Sequence, residues 1–228
     1  RGCKSGRRIA LKRNGKTIFI VVNGTHSGGN VATLSFDMKD MGYVIGFIGG
    51  KQSTTGVGAY IGAQKIKAYT DLGDGYVEGF KAARPDGSVL SAWTNDWDDV
   101  AKGKEAASNL IGQKADVVFP TMDNAVLGSL QAVKEKNKQG FGIYYDALAD
   151  WPDNLLQSAV LDMRGALVAV LTEAKSGKLE GKSYVYGFET PAAFRLGSYG
   201  KGVTQETQTE VAALIEQIKQ RRAAEKAL

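Results

Sequence analysis

The stretch GQKADVVFPTMDNAVLGSLQAVKEK, residues 112–136, contains one whole strand–turn–helix unit. Residues 116–121 (DVVFPT) are largely apolar over a length that suits a buried strand. Asp123 and Asn124 belong to the residue types that cap helices, and the pattern predicts a helix over 124–136. The amino end of such a helix offers backbone N–H groups that have no partner inside the helix. The same unit recurs on both sides. Upstream lie a strand at 56–62 (GVGAYIG), a helix near 71–83, an Arg-Pro-Asp-Gly turn, a strand at 88–94 and a helix from Asp98 or Asp99 to about 111. Downstream the chain reads as strands at 141–145 and 155–161, a helix at 163–175, a strand at 184–188 and a long helix at 205–227. Nearer the start, 17–23 (TIFIVVN), closed by Asn-Gly, reads as a buried strand, and 31–36 as a second, alternating one. A helix over 38–52 follows, although Gly42, Gly46, Gly49 and Gly50 weaken it by propensity.

Strands separated by helical stretches of 10–15 residues imply βαβ units and parallel sheets, and strands apolar throughout imply sheets covered on both faces. The fold class is therefore α/β. In such sheets ligands bind outside the carboxyl ends of the strands. The positions that matter are 24–29, 62–65, 94–99, 121–125 and 146–150.

Composition narrows the chemistry. The chain has 228 residues, 43% hydrophobic and 23% charged, which disfavours a disordered chain and a disulfide scaffold. Its apolar runs fall well short of the ~20 residues needed to cross a bilayer, and no signal peptide is visible. One cysteine, Cys3, and one histidine, His26, exclude an internal disulfide and are too few for a structural zinc site. The net charge of +5 is concentrated in residues 1–16 and in the last helix. Neither cluster interleaves basic residues with aromatics, so nucleic acid is not the expected partner.

The strand ends carry polar and aromatic side chains without an evident nucleophile, base or metal cluster. The segment 23–29 (NGTHSGG) lacks the spacing of a dinucleotide loop and leads straight into another strand; it reads as a connection, with His26 exposed. The segment 93–99 (WTNDWDD) places Trp97 among Asn and Asp, which suits stacking on a flat ligand with hydrogen bonds at its rim, whereas Trp93 lies inside the strand and reads as core. Asp123, Asn124 and Asp146 are the rim candidates. Binding without catalysis is the economical reading, with no cofactor and no metal.

Several segments, taken in order, resemble the basic membrane protein family of substrate-binding lipoproteins, to which the purine nucleoside receptor of ABC transporters belongs. Residues 99–107 (DVAKGKEAA) and 112–119 (GQKADVVF) look like its D-P-A-K-G-K-E and Q-G-A-D-V-I-F. Residues 30–36 (NVATLSF), 42–46 (GYVIG), 56–62, 127–133 (LGSLQAV) and 177–187 are similar to further family segments. The resemblance implies a type I periplasmic binding protein fold, with two Rossmann-like lobes, parallel sheets and three crossings between the lobes. It places residues 1–54 as the remnant of a first lobe, 55–150 as the second lobe and 151–228 as crossover segments shared by both. Family members carry a long stretch before the segment matching Thr17, so the first lobe is expected to be incomplete here. An uncovered sheet edge and helix face then predict association with a second copy.

Carried over position by position, the resemblance makes Trp97 the stacking residue. It sets Asp123 and Asn124 where some nucleobase-binding members have a polar T-D-S. One carboxylate of the family's V-D-S-D falls at Asp146, while the second falls on Leu148. A ribose-binding lysine of the nucleoside receptors falls near Leu161, with Asp162 beside it; its loss favours a nucleobase or another small heterocycle. The implied function is the solute-binding component of an ABC importer, with an ABC permease as partner and a purine nucleoside, nucleobase or similar ligand. The implied location is periplasmic or at the cell surface, as a membrane-anchored lipoprotein, although Cys3 lacks the apolar segment that precedes a lipidated cysteine. The competing readings are a ligand-sensing regulatory domain on the same fold and an Asp-dependent hydrolase or transferase.

Overall fold

The computed structural model describes residues 17–226 except 25 and 178, and the expectations for Cys3 and for the basic stretch 1–16 lie outside that range. The chain forms two compact units. The smaller takes its described residues from 17–37 and from Asp162–Phe194; the larger comprises Met38–Leu161 and 195–226. The segment read from the sequence as 1–54 is thereby shared: 17–37 lies in the smaller unit and Met38–Gln52 in the larger.

In the smaller unit β1 (Phe19–Val22), β2 (Val31–Phe36) and β8 (Ser183–Tyr186) form a parallel sheet in the order β1-β2-β8. Ala32, Leu34, Tyr184 and Tyr186 pack against Ala166 and Val170 of α5 (Met163–Lys175). The burial expected for 17–23 is corrected: Val21 and Val22 are 43% and 42% exposed. β1 lies at the sheet edge with a strand partner on one side only among the described residues, so apolar composition alone does not bury it.

The larger unit holds a six-stranded sheet in the order β4-β3-β5-β6-β7-β9, from β3 (Val57–Gly62), β4 (Ser88–Trp93), β5 (Val117–Thr121), β6 (Gln139–Ile143), β7 (Leu155–Leu161) and β9 (Phe194–Leu196). The pairings of β3 with β4 and β5, of β5 with β6 and of β6 with β7 are all parallel, as the strand–helix alternation requires. The three-residue β9 was too short to be legible in sequence.

Helices cover both faces. On one, α1 (Met38–Gln52) and α2 (Lys67–Ala83) enclose an aromatic cluster in which Tyr76 lies 5.5 Å from Phe119 and 6.2 Å from Phe141, ring centre to ring centre. On the other, α3 (Val100–Gly112) and α4 (Ala125–Glu135) bury Ala107, Leu110, Ala132 and Val133 against Ala59, Ile61 and Val118. The chain is completed by α6 (Gln205–Lys226), tied to α1 by the ion pair of Lys51 with Glu210 at 2.8 Å. Among the described residues no helix is long and apolar enough to cross a membrane.

Strand order reverses at β3: the chain runs outward to β4, then returns to β5 on the other side. At such a switch point the loops part, leaving a crevice beyond the strand carboxyl ends. The opposite end of the sheet is closed by Asp116. Its carboxylate accepts from Ser53 Oγ at 2.6 Å, from Thr54 N and Oγ1, both at 2.7 Å, and from Thr55 N at 2.9 Å. Burial pushes this carboxyl up, but the bonds from Ser53, Thr54 and Thr55 outweigh it and hold the pKa below the ordinary value. A lowered folded-state pKa means the stabilisation is complete above the unfolded-state value of about 3.9 and is lost as pH falls through the folded one. The native chain should therefore lose stability on acidification below about pH 4 more steeply than Asp116→Asn. Urea denaturation across that pH range checks this; parallel curves for the two proteins would refute it.

Candidate functional site

The crevice beyond β3 and β5 is lined by a closed ring of four residues. Trp97 follows β4 in a loop shaped by Asp96, whose carboxylate accepts from the N–H groups of Asp98 and Asp99 and from Lys102 Nζ. The Lys102 ammonium and those two N–H groups hold the Asp96 pKa down at about 2. Asp99 then caps α3, accepting from Ala101 and Lys102 N–H. The loop presents the Trp97 ring edge-to-face to Tyr69, 4.8 Å between centres and 67° between planes. The Tyr69 hydroxyl lies 2.7 Å from that of Tyr144. The Asp123 carboxylate lies near enough to the Tyr144 phenol to raise its pKa. Asp123 closes the ring, its N–H donating to the Trp97 carbonyl at 3.0 Å.

Two features hold Tyr144 there. Its backbone is left-handed, φ 72°, a conformation costly for a residue with a side chain. Its N–H donates to the Ala159 carbonyl, and its own carbonyl accepts from Leu161 N–H, which pins that turn to β7. Burial, then the neighbouring Tyr69 and Asp123, push the Tyr144 phenol above its ordinary range, and burial raises Tyr69 as well. Both phenols therefore remain protonated donors at neutral pH.

Trp97, Asp123 and Asn124 come together as the sequence places them. Trp97 is half-buried, packing also against the cluster that contains Met122 and Ala63, while Asp123 and Asn124 are exposed. Asn124 does not cap α4 with its side chain; its Nδ2 donates to Asp98 Oδ1 at 2.8 Å. The amino end of α4 differs from the expectation of free N–H groups. Asp123 and Ala125 N–H donate to the Trp97 carbonyl, Asn124 N–H to Asp98, and Val126 and Leu127 N–H to the carbonyls of Asp123 and Asn124.

Asp146 sits one turn beyond Tyr144 and is exposed, but its carboxylate holds the segment after β9: Oδ2 accepts from Ser198 N at 2.8 Å and Oγ at 2.7 Å. Asp162 lies in the smaller unit, where it caps α5 by accepting from Gly165 N–H at 3.0 Å. His26 is exposed, as expected. Trp93 is only half-buried, on the edge strand β4, its ring lying over Gly62 and edge-on to Tyr60 at 5.8 Å; the expected core position is corrected to a sheet margin.

Sequence reasoning missed Tyr69 and passed over Tyr144. Tyr69 lies in the first turn of α2, which begins at Lys67 without a side-chain cap, so no residue type marks the start. For Tyr144 the only signal was its place at a strand end.

A cavity of roughly 360 Å³ adjoins the ring between α4 and the segment after β6. It shares Asp123 and Tyr144 with the ring, takes in Asn124 and Tyr145, and is otherwise lined by apolar groups, including Leu130, Ile143 and Trp151, while Trp97 and Tyr69 lie outside it. Its volume lies near the lower end of ligand pockets. Among the described residues no group of three or more His, Cys, Asp or Glu could hold a metal ion.

Comparison with known proteins gives a consistent result. Residues 8–221 match the family described as Bmp, ABC transporter substrate-binding protein PnrA-like. Transcriptional activator protein med of Bacillus subtilis is 25% identical over 197 residues, covering 86% of this chain and 61% of its own length. A purine-binding protein of Brucella abortus is 30% identical over 123 residues, 54% of this chain and 34% of its own. An ABC transporter solute-binding protein from Conexibacter woesei superposes with a TM-score of 0.72 at 22% identity, covering 94% of this chain and 73% of that one. This chain thus spans less than two thirds of the length of those two curated relatives.

Proposed function

The chain belongs to the Bmp family of PnrA-like ABC transporter substrate-binding proteins, and on that premise we propose that it holds a purine base, nucleoside or similar flat heterocycle for an ABC permease without chemically changing it. The observation that carries this is the ring of Trp97, Tyr69, Tyr144 and Asp123 at the switch point of the larger sheet. An aromatic face beside an exposed carboxylate suits a planar ligand with polar edges. The name of the Brucella abortus relative supports a purine as the ligand class. Asn124 and Asp146 complete the proposed rim; Asp162, the further ligand contact expected from the sequence, belongs to the smaller unit. The family also supports a periplasmic or cell-surface location and a lipoprotein anchor for the whole protein.

Equilibrium binding tests this reading. Titration calorimetry with adenine, guanosine and inosine should give saturable heats with at least one ligand, and chromatography should recover that ligand unchanged. Absence of binding to all three, or conversion of a bound one, would overturn it. Self-association is part of the proposal: Val21 and Val22 on the β1 edge and Val168 and Leu171 on α5 are exposed apolar side chains. Sedimentation should show a dimer or larger species; a monomer across a wide concentration range counts against it.

A second reading has a specific observation behind it. The relative that covers 86% of this chain is named a transcriptional activator. In that reading the same site reports ligand occupancy to a regulatory partner. A gene position beside a permease favours transport; recovery of a transcription factor in complex with the ligand-loaded protein favours regulation.

A further inference from the structure

We propose that the cavity beside the ring takes an apolar substituent of the ligand, so that the site selects a flat heterocycle carrying a benzyl-sized group over the bare base. The inference rests on the heterocycle reading above and adds the class of substituent.

Continuity leads to it. The residues concerned all belong to the larger unit. Asp123 and Tyr144 line the cavity and also stand in the ring, where the Asp123 N–H donates to the Trp97 carbonyl at 3.0 Å and the Tyr144 hydroxyl lies 2.7 Å from that of Tyr69. A base lying on Trp97 with an edge at Asp123 therefore has the cavity next to that edge.

Polarity falls along the cavity. Asp123 and Asn124 stand at the start of α4, and Leu130 lies further along the same helix, about 9 Å from Asn124 at a rise of about 1.5 Å per residue. At that far end Leu130, Ala147 and Trp151 pack in one cluster. Two of the polar side chains are already engaged: Asn124 Nδ2 donates to Asp98 at 2.8 Å, and the Tyr145 hydroxyl to Asp150 at 3.0 Å. A whole purine in the cavity would set its ring nitrogens against apolar groups and leave them unpaired, whereas an apolar substituent loses no hydrogen bond there.

The walls are held apart by bonds of their own. The Ala147 N–H donates to Ser158 Oγ at 3.1 Å, and the Ala147 carbonyl accepts from the N–H groups of Asp150 and Trp151 at 3.1 and 3.2 Å. With the left-handed turn at Tyr144, these bonds fix the segment after β6 against β7, so the cavity is formed in advance of the ligand. An apolar cavity of about 150 Å³ is enough for a benzene ring. The roughly 360 Å³ available here has room for such a ring and a linking carbon.

Adenine, 6-benzylaminopurine and 9-benzyladenine test the point, the two derivatives carrying the same group at opposite ends of the base. In titration calorimetry the native protein should bind at least one derivative roughly tenfold or more tightly than adenine, a difference of about 1.4 kcal/mol per factor of ten. Leu127→Asp places a carboxylate on the cavity wall at a residue that is 48% exposed, in the first turn of α4, where a negative charge suits the helix. That variant should lose the preference and keep an adenine affinity near the native value. Leu127→Met, which leaves the wall apolar, should retain the preference. Two derivatives that bind no more tightly than adenine, a preference that survives Leu127→Asp, or one lost equally in Leu127→Met, overturns the substituent pocket while leaving a heterocycle site standing. Failure of the native protein to bind adenine, guanosine, inosine or either derivative overturns the heterocycle reading and the pocket together.

Discussion

Gly79→Ala should destabilise the larger unit by about 1–3 kcal/mol, although the same change in an isolated helix stabilises it by about 1 kcal/mol. The opposite sign comes from where the methyl group would go. α1 and α2 cross through a contact made of glycines: a Cβ at Gly79 would lie 1.9 Å from the Tyr43 carbonyl oxygen and 2.7 Å from its carbon. Gly75 meets the Lys39 carbonyl oxygen at 2.1 Å in the same way, and from the other helix Gly42 and Gly46 meet those of Leu72 and Tyr76 at 2.0 and 2.1 Å. These are backbone atoms of a paired helix, so no side chain can rotate aside. The helices must separate, and the aromatic cluster of Tyr76, Phe119 and Phe141 beneath them loses contact. Gly112→Ala is the internal control, because a Cβ there meets nothing within 4 Å. Urea denaturation of both variants separates the two effects; if Gly79→Ala is as stable as the native chain, the helix contact is looser than described.

Those glycines also show where sequence reading reaches its limit. The helix over 38–52 was legible to its end residues, but its glycines counted against it, because propensity describes a helix in water. Glycines four residues apart on both α1 and α2 mark two helices in contact, a meaning that requires knowing that the helices are neighbours. The parallel sheet was legible because its strands alternate with helices at regular spacing. The exposure of β1 was not, since TIFIVVN reads identically at the centre of a sheet and at its edge. That Trp97, Asp123 and Asn124 gather at one end of the sheet was legible because all three follow strand ends, where parallel sheets place ligands. The role of Tyr144 was not, because it depends on a left-handed turn and on a hydroxyl brought from 75 residues away.

Trp97→Ala should weaken binding of a planar ligand by roughly tenfold to a hundredfold, the range that corresponds to losing about 1–3 kcal/mol of stacking on one aromatic face. The structure adds a second effect to that expectation. Tyr69 stands edge-to-face against the indole at 4.8 Å, and the indole also packs on the cluster of Ala63 and Met122. Removing the ring therefore frees Tyr69 to turn, loosens its bond to Tyr144 and lowers stability, by less than the about 3–5 kcal/mol typical of a fully buried tryptophan because this one is half exposed. Trp97→Phe separates the two effects, since it keeps an aromatic face and most of the packing; its binding loss should stay under roughly tenfold. Trp93→Ala serves as the comparison: that ring covers Gly62 at the sheet margin, and its loss should lower the melting temperature while leaving affinity near the native value. Calorimetry on the three variants, each held well below its melting temperature, reads the result. Unchanged affinity in Trp97→Ala, in a protein whose native form binds the ligand, removes the indole from the site. A loss in Trp93→Ala as large as in Trp97→Ala moves the stacking face from the crevice to the edge of β4.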